Sequence, residues 1–335
     1  MTMPSFLRAT PAGAAQITLS SRTALGARVG RAVCSALVLA APLALALPGS
    51  SAMAQAARAS TAAAAAPEYG PPNGTLVIAG GGNLQGTGIM ERFIELAGGP
   101  GARIVVVPTA GGNRDSKGAL MKYDEADILK SWRARGLTNV HMLHTHDPAV
   151  ANTEAFASTL QGATGVWFNG GRQWNIVDSY AKTRTYDAFH AVLARGGVIG
   201  GSSAGATIQG EYLVRGAVSG SDVMMSPEPE HQDAFRFLRR TAIDQHIDTR
   251  NRWNDLAPVM TKFPNLLGIG LSEGTAIVVR GDIFEVIGRG KVAVHDNTRK
   301  RTPGDSAYFT LSATDRYDMK SRQTIMPAGA ARDRK

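Results

Sequence analysis

A serine stands between two glycines at the spacing Gly201-x-Ser203-x-Gly205, directly after the apolar pair Val198-Ile199. A sharp strand-to-helix turn demands this spacing, because it holds a nucleophile in strained backbone geometry and leaves no room for bulky side chains two residues away. Such a turn would present the Ser203 hydroxyl to a carbonyl carbon and set the backbone N–H of Ala204 beside the developing oxyanion. A second turn, Asn169-Gly170-Gly171-Arg172-Gln173, also follows an apolar run. Neighbouring strand ends of a doubly wound sheet open onto one crevice. Gly170 or Gly171 could therefore give a second N–H to the oxyanion, and Gln173 could meet substrate amides. Taken alone, each motif reads as plainly as a helix cap or a left-handed turn.

A serine nucleophile needs a base, and the chain has seven histidines. His144-x-His146-Asp147 imitates a metal site but has no third ligand at helical spacing, so it reads as structural and no metal is expected. His246 is different. It lies in Asp244-Gln245-His246-Ile247-Asp248-Thr249-Arg250-Asn251-Arg252, a run too dense in acid, amide, imidazole and guanidinium for a solvated face. The carboxylate that orients the imidazole is Glu273 or Asp244, and residue types alone leave both open. With Glu273 the order is Ser…His…acid, whereas ordinary α/β-hydrolases run Ser…acid…His, which argues against an esterase or lipase. Gly80-Gly81-Gly82 follows the first apolar run, but Gln85 stands where a dinucleotide fingerprint needs glycine. A tight turn at the end of a strand accounts for those glycines.

Short apolar runs separated by helix-like stretches must position these residues. Leu76–Ala79, Ile104–Val107, 140–143, Gly165–Phe168 and 198–199 read as buried strands. Helical spacing marks 90–96, 119–135 and 178–194, so a parallel sheet covered on both faces is predicted. Closely spaced runs at 275–279, 283–287, 291–294 and 308–311 predict a hairpin-rich C-terminal extension. The stretch 235–243 reads as a helix or strand leading toward the crevice.

Hydrophobic residues make up 44% and charged residues 19% of 335, a globular balance. The N-terminus stands apart: four arginines precede the apolar run 32–47, no acidic residue occurs before Glu68, and Ala52-Met53-Ala54 follows. This pattern predicts a secretory signal over 1–54, cut before Gln55, and not a stable membrane anchor. An Ala- and Pro-rich linker is expected over 55–73, one catalytic domain over 74–322, and a basic tail over 323–335. The only cysteine, Cys34, falls in the signal, so the mature chain suits an oxidising periplasm or medium. Removing the signal lowers the formal charge from +9 to +5. There is no basic stripe with interleaved aromatics, so nucleic acid is not an expected partner.

Together these segments resemble the cyanophycinase family, peptidase family S51. Its members carry a glycine-rich first turn, a Gly-Gly-x-Gln turn, a Gly-Thr-Ser-Ala-Gly elbow, an Asp-Gln-His segment with spaced arginines, and a Gly-Ile-Gly-x-x-Glu. Here these read Gly80-Gly81-Gly82, Gly170-Gly171-Arg172-Gln173, Gly201-Ser202-Ser203-Ala204-Gly205, Asp244-Gln245-His246 with Arg250 and Arg252, and Gly268-Ile269-Gly270-Leu271-Ser272-Glu273. The resemblance implies a flavodoxin-like three-layer α/β/α sandwich with a mostly parallel sheet, no cofactor, and a homodimer. It implies a triad of Ser203, His246 and Glu273, choosing Glu273 over Asp244, with an oxyanion site at Gly171 and Ala204. Gln173, Asp244, Gln245, Arg250 and Arg252 match positions that hold substrate. The implied substrate is cyanophycin, a poly-aspartate chain with arginine on each side chain, released as β-aspartyl-arginine dipeptides. The alternatives are an aspartyl or isoaspartyl dipeptidase of the same clan and a silent binder of acidic peptides. Two departures stand out. Ser202 replaces the family threonine, and Asp255 stands where the family places a third arginine. An aspartate there would repel a carboxylate, or pair with Arg252 or with a substrate guanidinium.

Overall fold

In the computed structural model, residues 65–325 are described, apart from 115, 116, 221 and 303. The expected signal over 1–54, the start of the linker and the tail beyond 325 lie outside the described residues.

Alternation along the central strands explains the layering. Successive side chains of a strand face opposite sides of the sheet, and both sides are apolar here. Leu76, Ile78, Val105, Val107, Val166, Phe168 and Ile199 enter one core cluster, while Val77, Ala79, Ile104, Val106, Trp167 and Val198 enter another. Helix Ile89–Leu96 adds Phe93, and helix Glu125–Arg133 adds Trp132, to the second cluster. Helices Gln173–Tyr180 and Arg184–Ala194 cover the first with Ile176, Tyr180 and Phe189. Burying each such side chain contributes about 1.5–3 kcal/mol. The result is a flavodoxin-like α/β/α sandwich.

Strands β1 (Thr75–Ala79), β2 (Ile104–Val107), β3 (Val140–Met142), β4 (Gly165–Phe168) and β5 (Val198–Ser202) pair in parallel in the order β1-β5-β4-β2-β3. The C-terminal hairpins divide between two sheets. β8 (Thr275–Arg280), β9 (Ile283–Gly288), β12 (Arg316–Asp318) and β13 (Gln323–Ile325) extend the main sheet antiparallel beyond β1, giving nine strands. β6 (Thr241–Gln245), β7 (Leu267–Leu271), β10 (Lys291–His295) and β11 (Phe309–Ser312) form a separate four-stranded sheet. The stretch expected as helix or strand before His246 thus ends as strand β6, parallel to β7.

Two expected helices are shorter than predicted. The stretch 178–194 breaks at Lys182, whose φ is 60°, and restarts where the Thr183 side chain accepts from Tyr186 N–H. The helix expected from 119 begins at Glu125, where the Asp124 carboxylate caps Asp127 N–H at 3.0 Å. The last residues of the expected linker are packed against the domain. Tyr69 is 2% exposed, and the Arg239 guanidinium donates to the carbonyls of Pro67, Glu68 and Gly70. Among the described residues, no helix is long and apolar enough to cross a membrane.

Candidate active site

β5 runs through Ser202 and turns at Ser203, whose φ of 57° and ψ of −116° lie outside the regions an L-residue ordinarily occupies. The turn needs its glycines. A Cβ on Gly201 would drive into the backbone of Gly205, and one on Gly205 into that of Phe168, the end of the neighbouring strand β4. Ser203 precedes the short helix Ala204–Thr207, yet its hydroxyl makes no capping bond. The Oγ instead lies 2.9 Å from His246 Nε2. A mere helix cap is therefore excluded.

His246 comes from the other sheet. It follows β6 directly and also has positive φ, 56°, with its N–H donating to Gly80 O at 3.1 Å. Glu273 follows β7, the parallel neighbour of β6, so the register brings acid and base to adjacent strand ends. Glu273 Oε1 lies 2.5 Å from His246 Nδ1 and accepts a further bond from Thr249 Oγ1 at 3.1 Å. The Glu273 N–H donates to Asp248 Oδ1 at 2.9 Å, which fixes the residue at its backbone. Glu273 and not Asp244 is the carboxylate beside the imidazole.

Two further residues of this centre were read from the sequence only as part of a tight turn. Gly81 and Gly82 have φ of 101° and 70°; a Cβ on Gly81 would fall 2.7 Å from His246 Nε2, and one on Gly82 2.7 Å from the Glu273 carboxyl carbon. The glycine loop is the wall against which base and acid rest. A triplet of glycines after a strand was the only available signal, and it reads equally as a tight turn.

Burial lowers the His246 pKa, and the nearby charges of Arg250 and Arg252 lower it further, outweighing the support from Glu273. The imidazole is thus neutral at neutral pH, as a proton acceptor must be. Beside Ser203, the amides of Gly171 and Ala204 donate to no acceptor among the described residues. Gly170 packs against the Ser203 side chain: a Cβ there would lie 3.2 Å from Ser203 Cβ. Gly171 is pressed on the backbone of Ala110, whose carbonyl accepts from Arg172 N–H at 2.6 Å.

The residues expected to hold substrate divide into two groups. Gln173 and Asp244 are engaged within the protein. The Gln173 Nε2 donates to the carbonyls of Val214 and Arg215 at 2.8 and 2.7 Å. Asp244 is fully buried, and both its oxygens bind the Arg215 guanidinium, at 2.9 Å from Nε and 3.1 Å from Nη2. Asp255 also pairs with Arg215, at 2.5 Å, and not with Arg252. The remaining three residues keep unspent capacity. Arg250 is exposed. Gln245 Oε1 and Arg252 Nη1 are buried and have no hydrogen-bond partner among the described residues. Arg215 had no sequence signal, because its partners lie 29 and 40 residues away in the chain.

The histidine pair at 144 and 146 forms part of a different cluster. His144 Nδ1 lies 3.0 Å from Thr109 Oγ1 with its ring against Tyr123, and His146 Nε2 is 2.9 Å from Gly112 O. Burial pushes the His144 pKa down to about 4.

The model of Peptidase family S51 matches residues 76–287, a span that includes Ser203, His246 and Glu273. The chain is 31% identical over 248 residues to the cyanophycinase of Synechococcus elongatus, covering 72% of each protein. The cyanophycinase of Thermosynechococcus vestitus matches with the same values. That of Trichormus variabilis is 26% identical over 270 residues, covering 76% of this chain and 87% of the relative. In fold, the chain is similar to the crystal structure of a peptidase from an acI-B1 Actinobacterium, with a TM-score of 0.54 at 20% identity, covering 73% of this chain and 97% of that one.

Proposed function

This chain belongs to peptidase family S51 and is a serine peptidase, and from that premise we propose that it hydrolyses cyanophycin to β-aspartyl-arginine dipeptides through an acyl-enzyme on Ser203. The observation that carries the mechanism is the unbroken line Glu273–His246–Ser203, at 2.5 and 2.9 Å. His246 removes the Ser203 proton as Oγ attacks the peptide carbonyl, and Glu273 steadies the imidazolium that results. The amides of Gly171 and Ala204 receive the oxyanion. His246 then passes its proton to the leaving nitrogen and activates the water that releases the acyl group.

Arg252 supports a substrate rich in carboxylates. Burial and the neighbouring Arg215 charge both lower its pKa, so its charge is under-compensated in the free protein. A guanidinium with a spare donor grips a carboxylate strongly. In cyanophycin, every side-chain arginine keeps a free α-carboxylate. Export, expected from the N-terminal sequence, and a homodimeric state, implied by the resemblance to the family, belong to the same reading.

The experiment is incubation of the purified protein with cyanophycin granules, following soluble products by mass spectrometry. β-Aspartyl-arginine as the dominant product is expected. Free arginine, which would mean cleavage of the β-isopeptide bond and not of the aspartate backbone, or no soluble product, would overturn the substrate assignment. N-terminal mapping of protein secreted by a bacterial host checks export, with Gln55 or a close neighbour expected first.

A further inference from the structure

Several contacts that hold Arg215 belong to elements of the site, while its N–H donates to Met224 O at 2.9 Å. Its carbonyl and that of Val214 accept from Gln173, the first residue of the helix after the Gly170-Gly171 turn. Its guanidinium binds both oxygens of Asp244, two residues before His246, and one oxygen of Asp255, in the loop after Arg252. Asp255 N–H in turn donates to Arg252 O at 3.1 Å. Arg215 is 2% exposed, and its φ of 56° is uncommon for a residue with a side chain. A backbone outlier kept at such a place marks a position that the surroundings over-determine.

The consequence is one of charge and shape. Of the two carboxylates acting on Arg252, Asp244 is buried with both oxygens on Arg215, and Asp255 spends one oxygen there. Among the described residues, Arg252 Nη1 is buried without an acceptor, and Arg252 Nη2 lies 3.5 Å from the exposed Asp222. The site therefore keeps a buried donor for an anion, while the buried carboxylate of Asp244 is spent on Arg215.

We propose that Arg215 is a specificity-determining residue, an internal guanidinium that occupies Asp244 and Asp255 so that this peptidase reads the carboxylate of the residue linked to aspartate and not its cationic side chain. The inference deepens the proposed function and rests on it. The substrate class widens accordingly: β-aspartyl isopeptides carrying arginine, lysine or a neutral side chain are all accepted, provided that the carboxylate is free.

The test uses the full mature chain and four β-aspartyl oligomers. Three carry arginine, lysine or citrulline, the neutral isostere of arginine, and the fourth carries arginine with its carboxylate amidated. The wild type is expected to hydrolyse the first three with kcat/KM within about threefold, and the amidated form at least about tenfold more slowly, mainly through KM. A site that gripped the guanidinium would reject citrulline by orders of magnitude, because its own carboxylate would be left unpaired. Arg215→Met should free Asp244 and raise the arginine-to-citrulline ratio by about tenfold, with Arg215→Lys restoring the wild-type ratio. A loss of more than tenfold for citrulline in the wild type would overturn the inference alone, and needs no variant to fold. An unchanged ratio in a folded Arg215→Met protein would do the same. Hydrolysis of none of the four would overturn the functional reading, and this inference with it.

Discussion

Ser203 and His246 both stand at positive φ, 57° and 56°. Each such conformation costs about 1–3 kcal/mol and persists only where neighbours impose it. Ser203 N–H is tied to Ala79 O at 3.1 Å and His246 N–H to Gly80 O at 3.1 Å, so both strained residues hang on the end of β1. The charge around His246 is equally specific. Burial first, then Arg250, pulls its pKa below the usual histidine range, and Glu273 opposes them. Activity requires neutral imidazole, so kcat/KM is full above that pKa and falls as pH drops through it. Arg250→Ala removes a depressing charge, so the acid limb of the pH–kcat/KM profile should move to higher pH, whatever happens to its height. An unmoved or lowered limb would contradict the electrostatic account. At this scale, Ser203, His246 and Glu273 were legible because each carries a local pattern: a glycine-flanked serine, a dense polar run, an acid after an apolar strand. Arg215 was not, since nothing near it in sequence distinguishes it from a surface arginine.

The elements that matter most are the two sheets and the loop between them. The main sheet supplies Ser203, and the second sheet supplies His246 and Glu273 from the parallel pair β6 and β7. The Gly80–Gly82 loop joins them: it follows β1 of the main sheet, and Gly80 O accepts from the N–H of His246 at the end of β6. A side chain at 81 meets the imidazole itself. Gly81→Ala should therefore displace His246 and lower kcat by about a hundredfold, since misplacement by about an ångström costs that much. The same substitution should cost the fold only about 1–2 kcal/mol, the penalty of a left-handed residue with a side chain. Steady-state kinetics beside urea unfolding separates the two effects; wild-type kcat would contradict the role given to the loop. The parallel strands were legible because burial on both faces leaves continuous apolar runs. Their pairing partners were less so. β10 is a largely buried apolar run like β8, and only tertiary contacts send it to the second sheet.

For the molecule as a whole, the segment before β1 is a fastening and not merely a tether. Tyr69 N–H donates to Asp282 Oδ1 at 2.7 Å, its hydroxyl accepts from Arg322 at 2.7 Å, and its ring faces the guanidiniums of Arg240 and Arg322 at 5.7 and 5.5 Å. This brings residues near both ends of the described chain together. Composition predicted a linker there because alanine and proline dominate it, and one buried aromatic does not change a composition. Tyr69→Ala should destabilise the fold by about 3 kcal/mol, as large core truncations do. A loss below about 1 kcal/mol in chemical denaturation would show the strap to be incidental. The central claim remains that this fold exists to make Ser203 a nucleophile. Its most direct test is hydrolysis of cyanophycin by the wild type and by Ser203→Ala, with calorimetric binding of the same substrate to both. Turnover should fall by at least about ten-thousandfold in the variant while the dissociation constant stays within a few-fold, since only the attacking oxygen is lost. Turnover by folded Ser203→Ala within about tenfold of the wild type would contradict the account.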